Sequence, residues 1–316
     1  MAELVMTVEQ MKDRNAWLEL RNRGLGGSDA AVILGMNPWK SRLALWAEKS
    51  GQKKPDDLSG NQRVYWGQKN EANIAEWFEE VTGKTTMRKG MMRSCEHPWM
   101  LASVDRVVVG EKAGLEIKTA GVDQAKYWKD DEIPDSYYLQ CQWYMAVTGW
   151  DRWYIAVLIG GNDARWNVVE RNQEQIDQLI EQGEAFWKLV TDLTPPLPDG
   201  SESSRETLQD IFPGGNTDPV DITDPDTMTE LQNYLHYYAR EKHYAEARKA
   251  AANNLMQKMG DNEVVTICGT KVTWKTQAGR VTLDGKALKK DMPDIYDKYA
   301  KQGKPIRVFR VGKGEQ

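Results

Sequence analysis

Between Leu101 and Thr119 the chain reads as two short apolar runs, Leu101 to Val109 and Ala113 to Thr119, joined by the turn-rich Gly110-Glu111-Lys112-Ala113-Gly114. Runs of this length around a glycine-bearing connection predict a β-hairpin. Successive strand side chains alternate faces, so Glu116 and Lys118 point one way while Leu115 and Ile117 point the other, into a core. Asp105 is expected across from the polar pair, which puts two carboxylates and an ammonium at one sheet edge. A hard divalent cation such as Mg²⁺ takes oxygen ligands and keeps several waters, so Asp105, Glu116 and the Ile117 carbonyl suffice to hold one, with Lys118 beside the attacking water. Such a set suits hydrolysis of a phosphodiester, and DNA is the expected substrate. On the hairpin alone a second reading stays open, because Asp followed by Glu-x-Lys also occurs as a solvated strand face with a cross-strand ion pair.

Neighbouring segments add polar groups. Gln68 to Val81 reads as a helix that stops at Gly83, with an apolar stripe of Ile74, Ala75, Phe78 and Val81. Glu71 falls on that stripe, where an unpaired carboxylate would be costly, so it calls for a cation and is a candidate second metal ligand. The alternative is a first-turn acid favoured by the helix dipole. Asp135 to Gly149, entered after Pro134, reads as a helix that sets Gln140, Gln142 and Tyr144 among Leu139, Trp143, Met145 and Val147. Buried amides need partners, either within the core or at a metal-bound water or phosphate. Upstream, helical Ala16 to Arg21 leads through Gly24-Leu25-Gly26-Gly27-Ser28-Asp29 into an apolar helix ending at Gly35, with Ser28 expected as the N-cap. A glycine-lined turn opening a helix presents free N–H groups to an anion, and Arg21 adds a fork for phosphate. An ordinary helix cap explains the same residues, and no strand precedes them as a dinucleotide site would require.

The order of motifs carries a resemblance. It runs Trp17-Leu18-Glu19-Leu20-Arg21 with Gly27-Ser28-Asp29-Ala30, Gly67-Gln68-Lys69-Asn70-Glu71, Ala102-Ser103-Val104-Asp105, Leu115-Glu116-Ile117-Lys118 and Gln140-Cys141-Gln142-Trp143-Tyr144-Met145. Together these resemble the YqaJ-like viral recombinase family, the phage lambda exonuclease group of the PD-(D/E)xK nuclease superfamily, over roughly residues 10 to 190. The resemblance implies a Mg²⁺-dependent exonuclease that digests one strand of duplex DNA from its 5′ end, leaving a 3′ single-stranded tail. It further implies two ions per site, with Mn²⁺ able to substitute. By the same resemblance Asp105 and Glu116 bind metal, Lys118 assists the attacking water, Glu71 helps hold the second ion, and Arg21 and Ser28 grip the terminal 5′ phosphate. Gln142 or Gln140 matches the amide that lies against the active site. Val104 stands where many relatives have proline, and Thr119-Ala120 where some have Cys-Pro; neither touches a ligand. Relatives form ring-shaped trimers and hand the tail to a phage single-strand annealing protein, so a cyclic homo-oligomer and such a partner are expected.

Composition sets the frame, since 316 residues with 40% hydrophobic content can build one large or two ordinary domains. Twelve of the thirteen tryptophans precede residue 190, after which Thr194-Pro195-Pro196-Leu197-Pro198-Asp199-Gly200-Ser201 breaks the pattern. The expectation is therefore an α/β, PD-(D/E)xK restriction-endonuclease-like core over 1–200 with a central mixed β-sheet flanked by helices. A linker or arm over 201–226 and a C-terminal α+β extension over 227–316 complete the chain. The extension reads as a helix over Thr227 to Met259 anchored by Leu231, Tyr234, Leu235, Tyr238, Tyr244 and Leu255, then a hairpin of Val264 to Cys268 and Lys271 to Lys275 around Gly269-Thr270. A helical Ala287 to Tyr299 and a strand at Ile306 to Val311 are expected after it.

Residues 264 to 316 hold twelve Lys/Arg against five Asp/Glu, a net of +7 within a chain of −5, so the tail is either a solvated face or a surface for DNA or a partner. In the acidic body, Arg21, Lys40 and Arg42 are a candidate cluster to focus potential on DNA. Cys95, Cys141 and Cys268 are too scattered for a zinc or iron–sulfur framework, and no signal peptide or membrane-spanning run is read, so a soluble protein of a reducing cytoplasm is expected. Two rival functions remain, an endonuclease of the same fold and a non-catalytic DNA-end-binding module.

Overall fold

The computed structural model describes residues 2–55, 57, 60–129, 132–303 and 307–312. The chain divides into two compact units, Met1–Pro213 and Gly214–Gln316. In chain order the first holds β1 (Ala2–Met6), α1 (Arg14–Arg21), α2 (Ala30–Ile33), α3 (Arg42–Lys49), α4 (Gln62–Thr82), β2 (Thr86–Met87), β3 (Met91–Ser94), β4 (Leu101–Ala102), β5 (Arg106–Val108), β6 (Ala113–Ala120), α5 (Asp135–Thr148), β7 (Arg152–Ile159), β8 (Asp163–Glu170), α6 (Gln173–Thr191) and α7 (Glu202–Ile211). The second holds α8 (Pro225–Met259), β9 (Val264–Ile267), β10 (Thr270–Thr273), α9 (Gly285–Asp291) and α10 (Pro293–Tyr299).

A five-stranded sheet of order β2-β5-β6-β7-β8 forms the centre of the first unit, and it is mixed: β6 and β7 run parallel, and the other pairs are antiparallel. A parallel pair needs a crossover, which α5 supplies. Alternation along β6 then separates two cores. Leu115 and Ile117 pack with Ile74, Ala75 and Phe78 of α4 on one face, while the other face is covered by α5, α2 and α6 around Trp143, Met145, Ile33, Leu179 and Phe186. Burial on both faces, at about 25 cal/mol per Å² of apolar surface, explains why β7 is apolar nearly throughout.

The expected single strand over Leu101 to Val109 is divided. β4 pairs with β3 in a separate sheet of order β1-β3-β4, whereas β5 pairs with β2 and β6. A segment that changes sheets must leave backbone unpaired between them, and here that gap is Ser103-Val104-Asp105. The hairpin turn itself falls as expected, at Gly110, whose φ of +82° suits glycine.

Helix boundaries move for local reasons. α4 starts at Gln62, six residues before the expected Gln68, because the Asn61 side chain accepts from the Arg63 and Val64 N–H groups and caps it there. It ends at Gly83 with φ +69°. Ser28 is not an N-cap. The Asp29 carboxylate instead reaches back to the Gly26 N–H at 2.9 Å across a single 3-10 turn that precedes α2. The expected linker also begins later, since residues 202–211 form α7, which buries Ser204 and Thr207 and ties Ser203 Oγ to the Ser41 N–H at 3.0 Å.

In the second unit α8 is capped by Asp224 with Pro225 in its first turn. The anchors expected on it are exposed, Tyr234 packing edge-on against Phe309. The β9–β10 turn sits at Cys268-Gly269, one residue earlier than expected, with φ of +48° and +81° as a two-residue turn of this hand demands. The helix expected over Ala287 to Tyr299 is broken into α9 and α10 at Pro293, which cannot continue a preceding turn. Residues 307–312 form no strand, and Ile306 lies outside the described residues.

Candidate active site

Glu116 is 3% exposed although β6 is otherwise apolar toward the sheet core. Its Oε1 accepts from Lys118 Nζ at 2.5 Å and from Gln140 Nε2 at 2.8 Å, and Lys118 Nζ also reaches Gln140 Oε1 at 3.2 Å. Gln140 Nε2 donates on to the Tyr144 hydroxyl, which donates to the Ser103 carbonyl at 3.0 Å. Strand alternation puts Glu116 and Lys118 on the α5 face, and helical spacing puts Gln140 and Tyr144 one turn apart on α5 to meet them. Tyr137 of the same helix places its ring 4.8 Å from the Lys118 ammonium. Burial works against that ammonium, but the Glu116 and Asp105 carboxylates outweigh it and hold it above the usual lysine range. Lys118 is therefore a fixed positive charge at neutral pH.

Asp105 stands in the gap between β4 and β5. Its Oδ2 accepts from the Ile117 N–H at 2.7 Å, taking the place of a strand that has left the β6 edge. The N–H and C=O of one strand residue face the same neighbour, so the Ile117 carbonyl shares this open edge with Asp105. Burial, then the Glu116 charge, push the Asp105 carboxyl well above the carboxylate range, and Glu71 adds in the same sense. Two carboxyl groups beside one ammonium already committed to Glu116 make a site short of positive charge.

A divalent cation fits that deficit. Glu116 Oε2 is buried and has no hydrogen-bond partner, a costly state that a hard cation on the oxygen would relieve. Among the described residues no three His, Cys, Asp or Glu side chains converge closely enough to hold a metal by themselves. The donor set at hand is thus two carboxylates and a backbone carbonyl, which leaves room for water. Glu71 lines the same cavity of about 610 Å³, but its carboxylate is turned to Arg88 at 3.3 Å and Arg106 at 3.7 Å.

On the same cavity, Arg21 donates to Ser28 Oγ at 2.6 Å and to Asp29 Oδ1 at 3.1 Å. Asp29 also meets Lys49, a lysine whose side chain is 1% exposed and whose Nζ donates to the Gly24 and Arg21 carbonyls. Burial lowers the Lys49 ammonium to about 8 against the pull of Asp29. For Asp29 burial acts upward, but Arg21 and Lys49 prevail and hold the carboxyl below its usual range. This buried trio anchors the Arg21 guanidinium at the cavity wall. Gly27 is pressed against α5 so closely that a Cβ would lie 2.6 Å from Tyr144 Cε1 and 3.0 Å from Gln140 Cγ, which joins the glycine turn to the Glu116 network.

The structure thus brings Asp105, Glu116, Lys118, Gln140 and the Ile117 backbone together, with Glu71, Arg21 and Ser28 on the same cavity. Gln142 does not join them: its amide donates to the Glu170 carbonyl and accepts from the Asn172 N–H on the far side of α5. Lys40 pairs with Glu48, and Arg42 lies over the Phe186 ring; neither lines the cavity. Tyr144, Asp29, Lys49 and Arg88 were not anticipated as members of the site. Tyr144 carried a signal in its spacing of four from Gln140, and Asp29 in its place within the Gly27-Ser28-Asp29-Ala30 motif; Lys49 and Arg88 carried none.

The YqaJ-like viral recombinase domain matches residues 16–151, a span that contains Arg21, Ser28, Asp29, Lys49, Glu71, Arg88, Asp105, Glu116, Lys118, Gln140 and Tyr144. YqaJ of Bacillus subtilis (strain 168) is 36% identical over 307 residues, 95% of each chain. The chain belongs to the YqaJ-like viral recombinase family. Among solved structures, an alkaline exonuclease (LHK-Exo) from Laribacter hongkongensis is similar with a TM-score of 0.48 and 19% identity, over 57% of this chain and 94% of that one. A phage related exonuclease from Haemophilus somnus 129PT gives a TM-score of 0.39 and 16% identity, over 56% and 97%. No helix among the described residues is long and apolar enough to cross a membrane.

Proposed function

We propose that the chain is a Mg²⁺-dependent 5′-to-3′ exonuclease that digests one strand of linear double-stranded DNA and leaves 3′ single-stranded tails. The observation that carries this reading is the Glu116 carboxylate, buried beside Asp105 with Oε2 unpartnered while an ammonium and an amide occupy Oε1. Asp105, Glu116 and the Ile117 carbonyl would hold one ion and Glu71 would contribute to a second, with Mn²⁺ able to substitute. Bound divalent ions supply Lewis-acid activation of water and offset charge gathering on the phosphate. Lys118, fixed by Glu116 and Gln140, presents an ammonium hydrogen to the attacking water and to the phosphate oxygens as charge builds there. Gln140 and Tyr144 keep that ammonium in register. Arg21, held by Asp29 and with Ser28 as its neighbour, takes the terminal 5′ phosphate through a guanidinium fork, so the cut is counted from that end.

Family membership supports a role in phage-type recombination, in the bacterial host cytoplasm. On this reading the working particle is a closed homo-oligomeric ring, a trimer in the expected case, that tracks the duplex, and the basic C-terminal extension is a docking surface for a single-strand annealing protein.

Digestion of end-labelled linear duplex tests the proposal. Mg²⁺ or Mn²⁺ should release 5′-label first as mononucleotide, EDTA should abolish release, and a covalently closed circle should stay intact. Internal cutting of the circle, release of 3′-label first, or full activity in EDTA would overturn it.

A further inference from the structure

We infer that Arg88 is a positioning residue that holds Glu71 away from the Asp105–Glu116 pair until a DNA phosphate takes Arg88 in exchange, so that substrate entry completes the second metal site. This deepens the proposed function and rests on its assignment of Asp105 and Glu116 as metal ligands.

Four observations carry it. Glu71, Arg88, Asp105 and Glu116 line one cavity, yet among the described residues the three acids do not close on one another as a metal-holding group, and the Glu71 Oε1 faces Arg88 and Arg106. The two arginines differ. Arg106 is fixed on β5 with a side chain 15% exposed, next in sequence to Asp105, whereas the Arg88 side chain is 55% exposed and lies just beyond the two-residue strand β2. The Arg88 contact is single and long, at 3.3 Å. A phosphate oxygen pair offers arginine two parallel, charge-assisted bonds, a better match than one stretched contact to an acid that is itself 25% exposed.

Electrostatics gives the exchange its direction. With no substrate present, Arg88 neutralises Glu71 and its positive charge repels a second dication from the same space. An entering phosphate draws Arg88 to itself and leaves Glu71 with Arg106 alone, at 3.7 Å. The freed carboxylate is then available to a cation that also sees Asp105. A second ion bound only when substrate is present keeps the hydrolytic set incomplete on an empty enzyme.

Mn²⁺ titration of the full chain, followed by electron paramagnetic resonance of the free ion, reads this without turnover. The added probe is a deoxynucleoside 5′-monophosphate, which offers the phosphate and has no diester to cleave. The natural protein should bind one Mn²⁺ tightly and a second weakly, the second tightening when the monophosphate is added. In Arg88→Ala the second ion should bind roughly five-fold more tightly without the monophosphate, the ceiling for loss of a partly exposed ion pair, and the monophosphate should add little. Glu71→Gln should lose the second ion in every condition. Equal second-ion affinity in Arg88→Ala and the natural protein, or a second ion indifferent to Glu71→Gln, would overturn the exchange. Arg88→Gln repeats the measurement with the side-chain bulk retained, and circular dichroism confirms that both variants are folded. Absence of any tight Mn²⁺ that Asp105→Asn removes would instead sink the metal assignment beneath it, so the two failures are told apart.

Discussion

Lys118→Ala separates the chemistry of the site from its stability. The Lys118 ammonium lies 2.5 Å from Glu116 Oε1 and 3.2 Å from Gln140 Oε1, with a side chain 20% exposed. Removing one partner of a buried ion pair costs about 3–5 kcal/mol because the other charge is left uncompensated. Gln140 Nε2 stays on Glu116 at 2.8 Å and some water reaches the site, which places the cost at the lower end, about 3 kcal/mol. For a unit of this size each kcal/mol moves the unfolding midpoint by about 2–4 °C, so in EDTA the variant should melt about 6–12 °C below the natural protein. Without the ammonium the two carboxylates bind a dication more tightly, so saturating Mn²⁺ should narrow that gap. Activity should nevertheless stay at least about 100-fold down at a temperature where both proteins are folded, since Mn²⁺ does not restore the positioned donor. Scanning fluorimetry with and without Mn²⁺, alongside digestion of a linear duplex, makes the comparison. Equal midpoints in EDTA, a gap that Mn²⁺ leaves unchanged, or undiminished digestion would refute the reasoning.

Gly27→Ala should destabilise by about 1–3 kcal/mol through its clash with Tyr144 and Gln140, seen as a lower denaturant midpoint, and should slow digestion by shifting the amide that steadies Lys118. Asp29→Asn should cost about 3 kcal/mol at pH 7 by stranding Arg21 and Lys49. Because the folded-state carboxyl is depressed, its contribution is present above the unfolded value of about 3.9 and is lost as pH falls through the folded one, so denaturation curves of the two proteins should converge in acid. Gln142→Ala should lower stability by about 1–3 kcal/mol, by leaving the Asn172 N–H and the Glu170 carbonyl without partners, while digestion at low temperature stays near normal; Gln140→Ala should do the reverse in kind, slowing digestion more than it destabilises.

What was legible in the chain follows from what is local. The period of two along Leu115 to Lys118 is a property of any strand, so the division of that segment into a core face and a polar face needed no tertiary information. The break inside Leu101 to Val109 did, because both halves are apolar and only the geometry of two sheets makes them part at Asp105. Gln140 and Gln142 stand about 200° apart around a helix, so one alone can face the site, and the rotation of α5 that chooses Gln140 is set by Trp143 and Tyr144 packing onto β4 and its following loop. The apolar stripe of α4 was visible, but the arginines that meet Glu71 come from the short connection between β2 and β3 and from β5, with no periodicity to announce them. Lys40 and Arg42 are close in sequence to the glycine turn and still point elsewhere, since charge proximity along a chain says little about direction. Exposed Leu231, Leu235 and Tyr238 show the same limit on α8, where helical spacing gives a stripe without saying what, if anything, covers it.

Asp105 has a second duty beyond its acidity. By accepting from the Ile117 amide it serves as a rung of the ladder at the point where the neighbouring strand has departed. A descendant that swapped this acid for an aliphatic residue would forfeit backbone cohesion at that edge and, on the proposed function, turnover with it, so on that reading drift toward an inert DNA-clasping protein is resisted by the architecture as well as by selection on the reaction.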